Sequence, residues 1–328
     1  MSEPLIILEH VARTFMVKGQ TIKAVDDVNL TIPAGEMLCL VGESGCGKTT
    51  TGKMIAGLLP TSSGRILYRG QDITTISGPD RKAYRLGVQM VHQDPYASLN
   101  PTQTIYNILA APLQHHRFTR GEADTRRRVR ELLEIVDLTP PDDFLEKYPH
   151  QLSGGQRQRV SVARALTVRP AFIVADEAVS MVDVSIRISL LNMFTRLKQE
   201  MGVGVLLITH DLALAKYFAW EGRIGVMYLG RLVEIGPARD VVEHAQHPYT
   251  QVLLSAIPEA DPEATRTKQR IELRSTDMPS LLRLPSGCTF HPRCPAFIGE
   301  VCERIVPPLE KANWGSEVAC HLVHAHES

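Results

Sequence analysis

The residues with the clearest capacity for chemistry form a glycine-rich segment, Gly42-Glu-Ser-Gly-Cys-Gly47-Lys48-Thr49. This segment fits the pattern G-x-x-x-x-G-K-[ST] and follows an apolar run, Met37 to Val41, of strand length. Glycines let successive backbone N–H groups face phosphate oxygens, and the start of the helix predicted after the segment favours anions. We therefore predict a site for a nucleoside triphosphate. Its residues are Gly42, Glu43, Ser44, Gly45, Cys46, Gly47, Lys48, Thr49 and Thr50.

Lys48 and Thr49 complete this segment, which we call the P-loop. The lysine supplies a mobile charge for the β- and γ-phosphates, and the threonine hydroxyl is a ligand for Mg²⁺. A glycine-rich turn without a ligand is the alternative, but the strand predicted before the loop and the helix predicted after it disfavour that alternative. Cys46 in the loop and Cys39 in the strand are small residues that can pack without reactive chemistry, so we interpret both thiols as structural.

Two carboxylates follow another apolar run, in which Ala171 to Ala175 leads into Asp176 and Glu177. The carboxyl ends of strands in open α/β sheets are where ligands bind. We assign Asp176 to Mg²⁺, through water, and Glu177 to the general base that orients the attacking water. A helix N-cap or a solvated turn is the alternative for an isolated Asp-Glu pair, and the P-loop upstream favours the catalytic interpretation.

A histidine lies at the end of a third apolar run, because Val205 to Ile208 is followed by Thr209-His210-Asp211. The carboxyl ends of parallel strands meet at one edge of a sheet, so His210 should arrive beside the two acids and the P-loop. An imidazole there can donate a hydrogen bond to the γ-phosphate or to the attacking water. Most lone histidines are structural or exposed, and the strand-end position favours function here.

A second anion-binding helix start is predicted at Leu152-Ser153-Gly154-Gly155-Gln156. One ATP needs only one P-loop, so this segment implies a second nucleotide. It resembles the signature motif of the ABC ATPase family, which contacts the nucleotide held by a partner subunit. By the same resemblance Gln93 is the Q-loop residue, which joins Glu177 and His210 as a catalytic residue and Thr49 and Asp176 as a Mg²⁺ ligand. His210 is the switch histidine. The resemblance also implies that Phe15 stacks on adenine and that Ser180 to Asp183 form the D-loop, with Asp183 at the nucleotide.

Three further segments are similar to the oligopeptide and dipeptide importer branch of the family, in particular to its F-type ATPase. They are Gln93-Asp-Pro-Tyr-Ala-Ser-Leu-Asn-Pro101, Tyr148-Pro-His-Gln-Leu152 and His247-Pro-Tyr-Thr250. Nickel and oligosaccharide importers share much of this pattern. The resemblance implies two transmembrane permease subunits, an extracytoplasmic solute-binding protein and a second ABC ATPase, a D-type paralogue, with this chain peripheral at the cytoplasmic face of the cell membrane. A homodimer is the alternative to the heterodimer.

Three positions depart from the family pattern. Ala178 stands where a proline usually follows the glutamate, His92 replaces a common phenylalanine, and Met181-Val182 replaces the usual D-loop pair. None of them removes a catalytic group. Because small displacements of a positioned base reduce the rate, Ala178 predicts slower hydrolysis.

Short apolar runs of strand length alternate with helical stretches around these residues, and this pattern predicts an α/β fold. We expect a P-loop NTPase core with a parallel-rich central sheet, a helical subdomain and a small cysteine-rich C-terminal extension. We expect a nucleotide-binding domain at 1–257, with the helical subdomain at about 94–165, and a linker and extension at 258–328. The resemblance implies that the helical subdomain receives a coupling helix from a permease. A helix from Glu122 to Val136 carries Arg126, Arg127, Arg128 and Arg130, and we interpret its arginines as a solvated face paired with glutamates rather than a binding surface.

Composition excludes some partners. Among the 328 residues, Lys plus Arg and Asp plus Glu both total 36, so net charge does not favour nucleic acid. The N-terminus lacks the pattern of a signal peptide, and no apolar run approaches the roughly 20 residues of a membrane-spanning helix.

Alternatives to an importer ATPase are a soluble ABC ATPase that acts on DNA or the ribosome, and a regulatory partner that binds nucleotide without hydrolysis. The single ATPase core disfavours the first, and the complete catalytic set disfavours the second.

Four cysteines, Cys288, Cys294, Cys302 and Cys320, lie close together near the end of the sequence. Disulfides are disfavoured in a reducing cytosol, so four thiolates could instead hold a [4Fe-4S] cluster or a zinc ion, or remain free. Some dipeptide-importer ATPases carry a [4Fe-4S] cluster in this extension, and Gly287-Cys-Thr-Phe-His-Pro-Arg-Cys-Pro295 resembles that region. The resemblance therefore implies a cluster.

Overall fold

A computed structural model describes residues 4–180, 182–257 and 270–324 of the chain. Its central sheet contains five parallel strands with the order β9-β3-β8-β7-β6. These strands are β3 (Met37–Val41), β6 (Val88–Val91), β7 (Phe172–Asp176), β8 (Gly204–Thr209) and β9 (Arg223–Tyr228).

The predicted apolar runs form the middle of this sheet. All residues of β3, β7 and β8 are buried, as continuous apolar strands covered on both faces require. The parallel-rich sheet between helices confirms the predicted α/β fold class. The strands place their carboxyl ends, and hence the P-loop, Asp176 and Thr209, at one edge.

A separate antiparallel sheet has the order β2-β1-β4-β5. It encloses a second apolar core, which includes Val11, Val28 and Ile66 together with Leu38 of the central sheet. This sheet therefore packs against the P-loop side of the central sheet. Its strands are β1 (Pro4–Val17), β2 (Gln20–Pro33), β4 (Ser63–Tyr68) and β5 (Gln71–Asp72).

A group of helices separates β6 from β7, where the helical subdomain is predicted. They are α3 (Pro95–Ser98), α4 (Ile105–His115), α5 (Gly121–Ile135), α6 (Asp142–Leu145) and α7 (Gly154–Leu166), with a 3₁₀ turn at Pro149–Gln151. The arginines of α5 form ion pairs with neighbouring carboxylates, such as Arg128 with Glu131 at 2.8 Å and Arg130 with Asp142 at 2.8 Å. The predicted pairing with Glu131 is confirmed, and none of the ion pairs in the described ranges involves Glu134, the other partner expected from the sequence.

The remaining helices of the first 257 residues flank the central sheet. They are α1 (Lys48–Ile55), α2 (Gly78–Gly87), α8 (Val184–Met201), α9 (Leu212–Phe218), α10 (Ala238–Glu243) and α11 (Pro248–Ser255). Among the helices in the described ranges, none combines the length and apolar character needed to span a bilayer.

The C-terminal extension packs onto the core. Strand β10 (Arg231–Pro237) pairs antiparallel with β9. Strand β12 (Glu317–Val318) of the extension pairs with β10 and so adds a further strand to the central sheet. Phe290 is 1% exposed within the main apolar core. The extension thus completes the sheet instead of forming a unit apart from it. Its other elements are α12 (Glu300–Arg304), β11 (Glu310–Lys311), α13 (His321–His324) and a 3₁₀ turn at Asn313–Gly315.

Candidate nucleotide site

The P-loop connects β3 to α1 at the carboxyl edge of the sheet. Two of its glycines have no room for a side chain: a Cβ at Gly42 would lie 2.1 Å from the Met227 carbonyl oxygen, and one at Gly47 would lie 2.3 Å from that of Ala24. Gly47 also has a φ of 107° and caps the N-terminus of α1. The loop is therefore held against β9 and β2 with its backbone at the helix start, the arrangement that binds phosphate.

Lys48 is folded back over the P-loop. Its Nζ donates to the carbonyl oxygens of Gly42 at 2.6 Å and Glu43 at 2.9 Å, and the residue is 4% exposed. Burial raises the pKa of the Cys46 thiol and outweighs the lowering effect of Lys48, which keeps that thiol protonated. The ammonium thus lies across the loop where phosphate oxygens can replace its carbonyl partners, and Cys46 serves packing.

Thr49 and Asp176 lie together although they are far apart in sequence. Thr49 Oγ1 donates to Asp176 Oδ1 at 2.8 Å. Burial, and next the charge of Glu177, raise the pKa of Asp176, while the bond from Thr49 lowers it. A hydroxyl and a buried carboxylate are oxygen ligands of the kind that Mg²⁺ selects, and a cation would offset the cost of burying this charge. These two residues fit a Mg²⁺ site.

Glu177 lies at the centre of the second group. Gln93 Nε2 donates to its Oε2 at 2.9 Å, and His210 Nδ1 lies 3.3 Å from its Oε1. Its backbone φ is 45°, and its N–H donates to the Ile208 carbonyl at 2.9 Å, so the neighbouring strand β8 fixes the turn. The structure brings together the three residues predicted to be catalytic. Gln93 contacts Glu177 here, and its assignment as a Mg²⁺ ligand stays a prediction.

The second anion-binding segment starts α7 as a capping box. Ser153 Oγ accepts from the Gln156 N–H at 3.2 Å, and Gln156 Oε1 accepts from the Ser153 N–H at 2.9 Å. A Cβ at Gly155 would lie 2.6 Å from Ile186, so this glycine allows α7 to pack closely on α8. Within the described residues no hydrogen bond links Ser153, Gly154, Gly155 or Gln156 to the P-loop.

The other predicted nucleotide contacts lie on different elements. Phe15 is a half-buried residue of β1, with the Arg13 guanidinium 4.8 Å from its ring centroid. Asp183 is exposed at the N-terminus of α8. Arg187 supports the D-loop backbone by donating to the carbonyls of Val182 at 2.8 Å and Ser180 at 3.2 Å. Met181 lies outside the described residues.

Two residues that hold the P-loop were not predicted. The Tyr249 hydroxyl accepts from the Glu43 N–H at 3.0 Å, and the Arg293 guanidinium donates to the Glu43 carboxylate at 2.8 and 3.1 Å. Both lie in segments noted only for their family resemblance. Their separations of 206 and 250 residues from Glu43 give no local signal of contact.

The four cysteines do not form a metal site in the structure. The cluster prediction is not supported: among the residues it describes, no three His, Cys, Asp or Glu side chains are placed to hold a metal ion. Burial raises the pKa of Cys288 to about 11 and that of Cys294 to about 12, and neighbouring thiols add to both shifts. The raised pKa keeps the Cys288 and Cys294 thiols protonated, whereas a thiol that binds a metal must be a thiolate.

Comparisons with known proteins agree with this geometry. A family model described as "ABC transporter" matches residues 25–180, and one described as "Oligopeptide/dipeptide transporter, C-terminal region" matches residues 233–302. The chain is 42% identical to the oligopeptide transport ATP-binding protein AppF of Bacillus subtilis, over 94% of this chain and 92% of that protein. It is 40% identical to y4tS of Sinorhizobium fredii, named a probable peptide ABC transporter ATP-binding protein, over 98% and 91%.

A solved structure of the dimeric ATP-binding cassette MJ0796, in a post-hydrolysis state with ADP and phosphate, has a TM-score of 0.64. It is 28% identical and covers 71% of this chain and 99% of that one. The P-loop, the acidic strand end and the signature segment all lie within the matched family region or next to it. The chain therefore belongs to the ABC transporter family as an ATP-hydrolysing subunit, in the branch of oligopeptide and dipeptide transport ATP-binding proteins.

Proposed function

We propose that this chain hydrolyses ATP at the cytoplasmic face of the cell membrane to drive import of di- or oligopeptides through two permease subunits. The observation that carries the proposal is similarity over nearly the whole chain to peptide-transport ATP-binding proteins. The grouping of Lys48, Thr49, Asp176 and Glu177 at one sheet edge supports the hydrolytic part of the proposal.

In the proposed reaction the residues around Glu177 prepare water for attack on the γ-phosphate. Glu177 accepts a proton from that water or orients it, while Gln93 and His210 hold the carboxylate. Lys48 exchanges its carbonyl partners for β- and γ-phosphate oxygens. Thr49 and Asp176 would hold Mg²⁺, which offsets charge on the phosphates when bound. Phe15 would stack on adenine.

We propose that the catalytic unit contains two ATPases. The signature segment at Ser153 offers backbone N–H groups at the start of a 13-residue helix and makes no described hydrogen bond to its own P-loop. Head-to-tail pairing would let it bind the γ-phosphate of a nucleotide held by the partner, and Asp183 would approach the same interface. The partner is a related D-type ATPase, with a second copy of this chain as the alternative.

The permease contact is proposed at a cavity between α2, α4 and the end of α7. Its volume is about 690 Å³, and its polar lining is rich in cationic and imidazole groups without any carboxylate. A permease segment with acidic side chains would complement this charge. The charged and imidazole residues are Arg81, Lys82, Arg85, His115, His116 and Arg164.

Native co-purification from gently solubilised membranes tests the proposal, with mass spectrometry of everything bound stoichiometrically. We expect two permeases and a second ATPase, and ATP turnover that increases when the matching solute-binding protein is added with peptide. Ribosomal or DNA-associated partners alone would overturn the importer. Stimulation only by an oligosaccharide or a nickel chelate would overturn the peptide substrate, and an assembled pair without turnover would indicate a regulatory subunit.

A [4Fe-4S] cluster at Cys288, Cys294, Cys302 and Cys320 remains a proposal based on the sequence. In the described part of the chain, no three possible ligand side chains lie together in an arrangement that could hold a metal ion. Anaerobic purification followed by iron, sulfide and zinc analysis distinguishes the three states. Iron and sulfide with visible absorption would support the cluster. Stoichiometric zinc would show a zinc site in place of the cluster. Four titratable thiols without metal would exclude both the cluster and the zinc site.

A further inference from the structure

The P-loop contains an acidic residue, Glu43, in a segment that must attract phosphate. Like charge near a bound phosphate weakens binding unless a cation compensates it. The Lys48 ammonium donates to the backbone carbonyls of Gly42 and Glu43, and no described hydrogen bond joins it to the Glu43 carboxylate. The nearest described cation on the Glu43 carboxylate comes from the C-terminal extension.

Arg293 binds this carboxylate with two hydrogen bonds, from Nη1 to Oε2 at 2.8 Å and from Nη2 to Oε1 at 3.1 Å. Its side chain is 8% exposed and that of Glu43 is 30% exposed. Nη1 also lies 3.3 Å from the Tyr228 hydroxyl. A two-point guanidinium–carboxylate contact fixes orientation as well as charge, which a surface lysine would not do.

An aromatic cluster holds Arg293 in place. Phe290 is buried and lies 5.2 Å from Tyr228 and 5.3 Å from Tyr249 between ring centroids. The Arg293 N–H donates to the Phe290 carbonyl at 3.0 Å, and the Tyr249 hydroxyl accepts from the Glu43 N–H. The backbone and the carboxylate of one P-loop residue are thus both held from outside the loop.

We infer that Arg293 is a positioning residue for ATP binding, through which the C-terminal extension neutralises Glu43 and fixes the start of the P-loop. Arg293 acts through Glu43, because its described side-chain hydrogen bonds go to Glu43, Tyr228 and Met278. Its loss leaves an uncompensated carboxylate beside the phosphate site and frees the loop to move. The expected effect is therefore on nucleotide affinity more than on the chemical step.

The test measures equilibrium binding of MgATP to the purified full-length chain, and KM and kcat in the assembled ATPase. Arg293→Gln should raise the dissociation constant and KM about tenfold with kcat within about twofold, and Arg293→Lys should recover part of the loss. Arg304→Gln is the matched control, because Arg304 lies in the same extension with a side chain 73% exposed and paired only with Glu300 among described residues. It should bind ATP as the parent does.

A double variant separates charge compensation from general support of the fold. Glu43→Gln combined with Arg293→Gln should bind ATP as well as Glu43→Gln alone, because a neutral side chain needs no cation. Unchanged affinity in Arg293→Gln would overturn the inference. So would a double variant as weak as Arg293→Gln, since that result assigns Arg293 to folding alone. A parent chain that binds no ATP would instead refute the function of the site.

Discussion

His247 should make the stability of this protein depend on pH in the mildly acidic range. It is 1% exposed at the N-terminus of α11, where Nδ1 accepts from the Tyr249 N–H at 3.0 Å. Burial lowers its pKa from 6.5 to about 3, against a smaller raising effect of its hydrogen bond to the Ala319 backbone. Protonation would remove the cap acceptor and leave a buried charge.

The sign and size follow from proton linkage. The unfolded chain binds a proton near pH 6.5 that the native chain excludes until about pH 3, so the free energy of unfolding falls as the pH decreases between these values. Each pH unit within that window costs about 1.4 kcal/mol. Lowering the pH from about 7 to about 5 should therefore destabilise the fold by about 2 kcal/mol through this residue.

Urea denaturation at these two pH values, with the parent and His247→Asn, measures the effect. Asparagine can also accept at an N-cap but does not titrate. Burial raises the pKa of the neighbouring Glu234, which gives stability on acidification, and this contribution is common to both proteins. The parent should lose about 2 kcal/mol more than the variant between the two pH values. Equal losses would refute the assignment of a neutral, buried His247.

Three further changes test the nucleotide site. Glu177→Gln should reduce ATP turnover about 100-fold or more while ATP binding is retained, and unchanged turnover would exclude a base role. Gly47→Ala should weaken ATP binding about tenfold or more, because its Cβ would meet the Ala24 carbonyl oxygen at 2.3 Å. Gly70→Ala is the control, because Gly70 lies outside the P-loop, has a positive φ of 77° and has nothing within 4 Å of the added Cβ, so ATP binding should change much less. Ala178→Pro should raise kcat about twofold or more by restricting the turn after Glu177, and equal rates would contradict this reason.

Local pattern was sufficient where the physical constraint is itself local. The predicted strand Met37–Val41 has the observed bounds, because a continuous apolar run of that length can be buried only inside a covered sheet. The predicted strands Ala171–Ala175 and Val205–Ile208 each end one residue earlier than the observed strands, β7 at Asp176 and β8 at Thr209. Strand ends of a parallel sheet share one edge, so the meeting of Glu177 and His210 was also predictable.

The sequence by itself determined the P-loop, the acidic strand end and the signature segment, because each depends on residue types at fixed short spacing. Only the tertiary structure decided that Arg293 and Tyr249 form hydrogen bonds with Glu43, and that β12 pairs with β10 as a further strand of the central sheet. It also shows that no three His, Cys, Asp or Glu side chains among the described residues are placed to hold a metal ion. These features depend on contacts between segments that are far apart in the sequence. Periodicity and short motifs describe only neighbouring residues, so they do not predict such contacts.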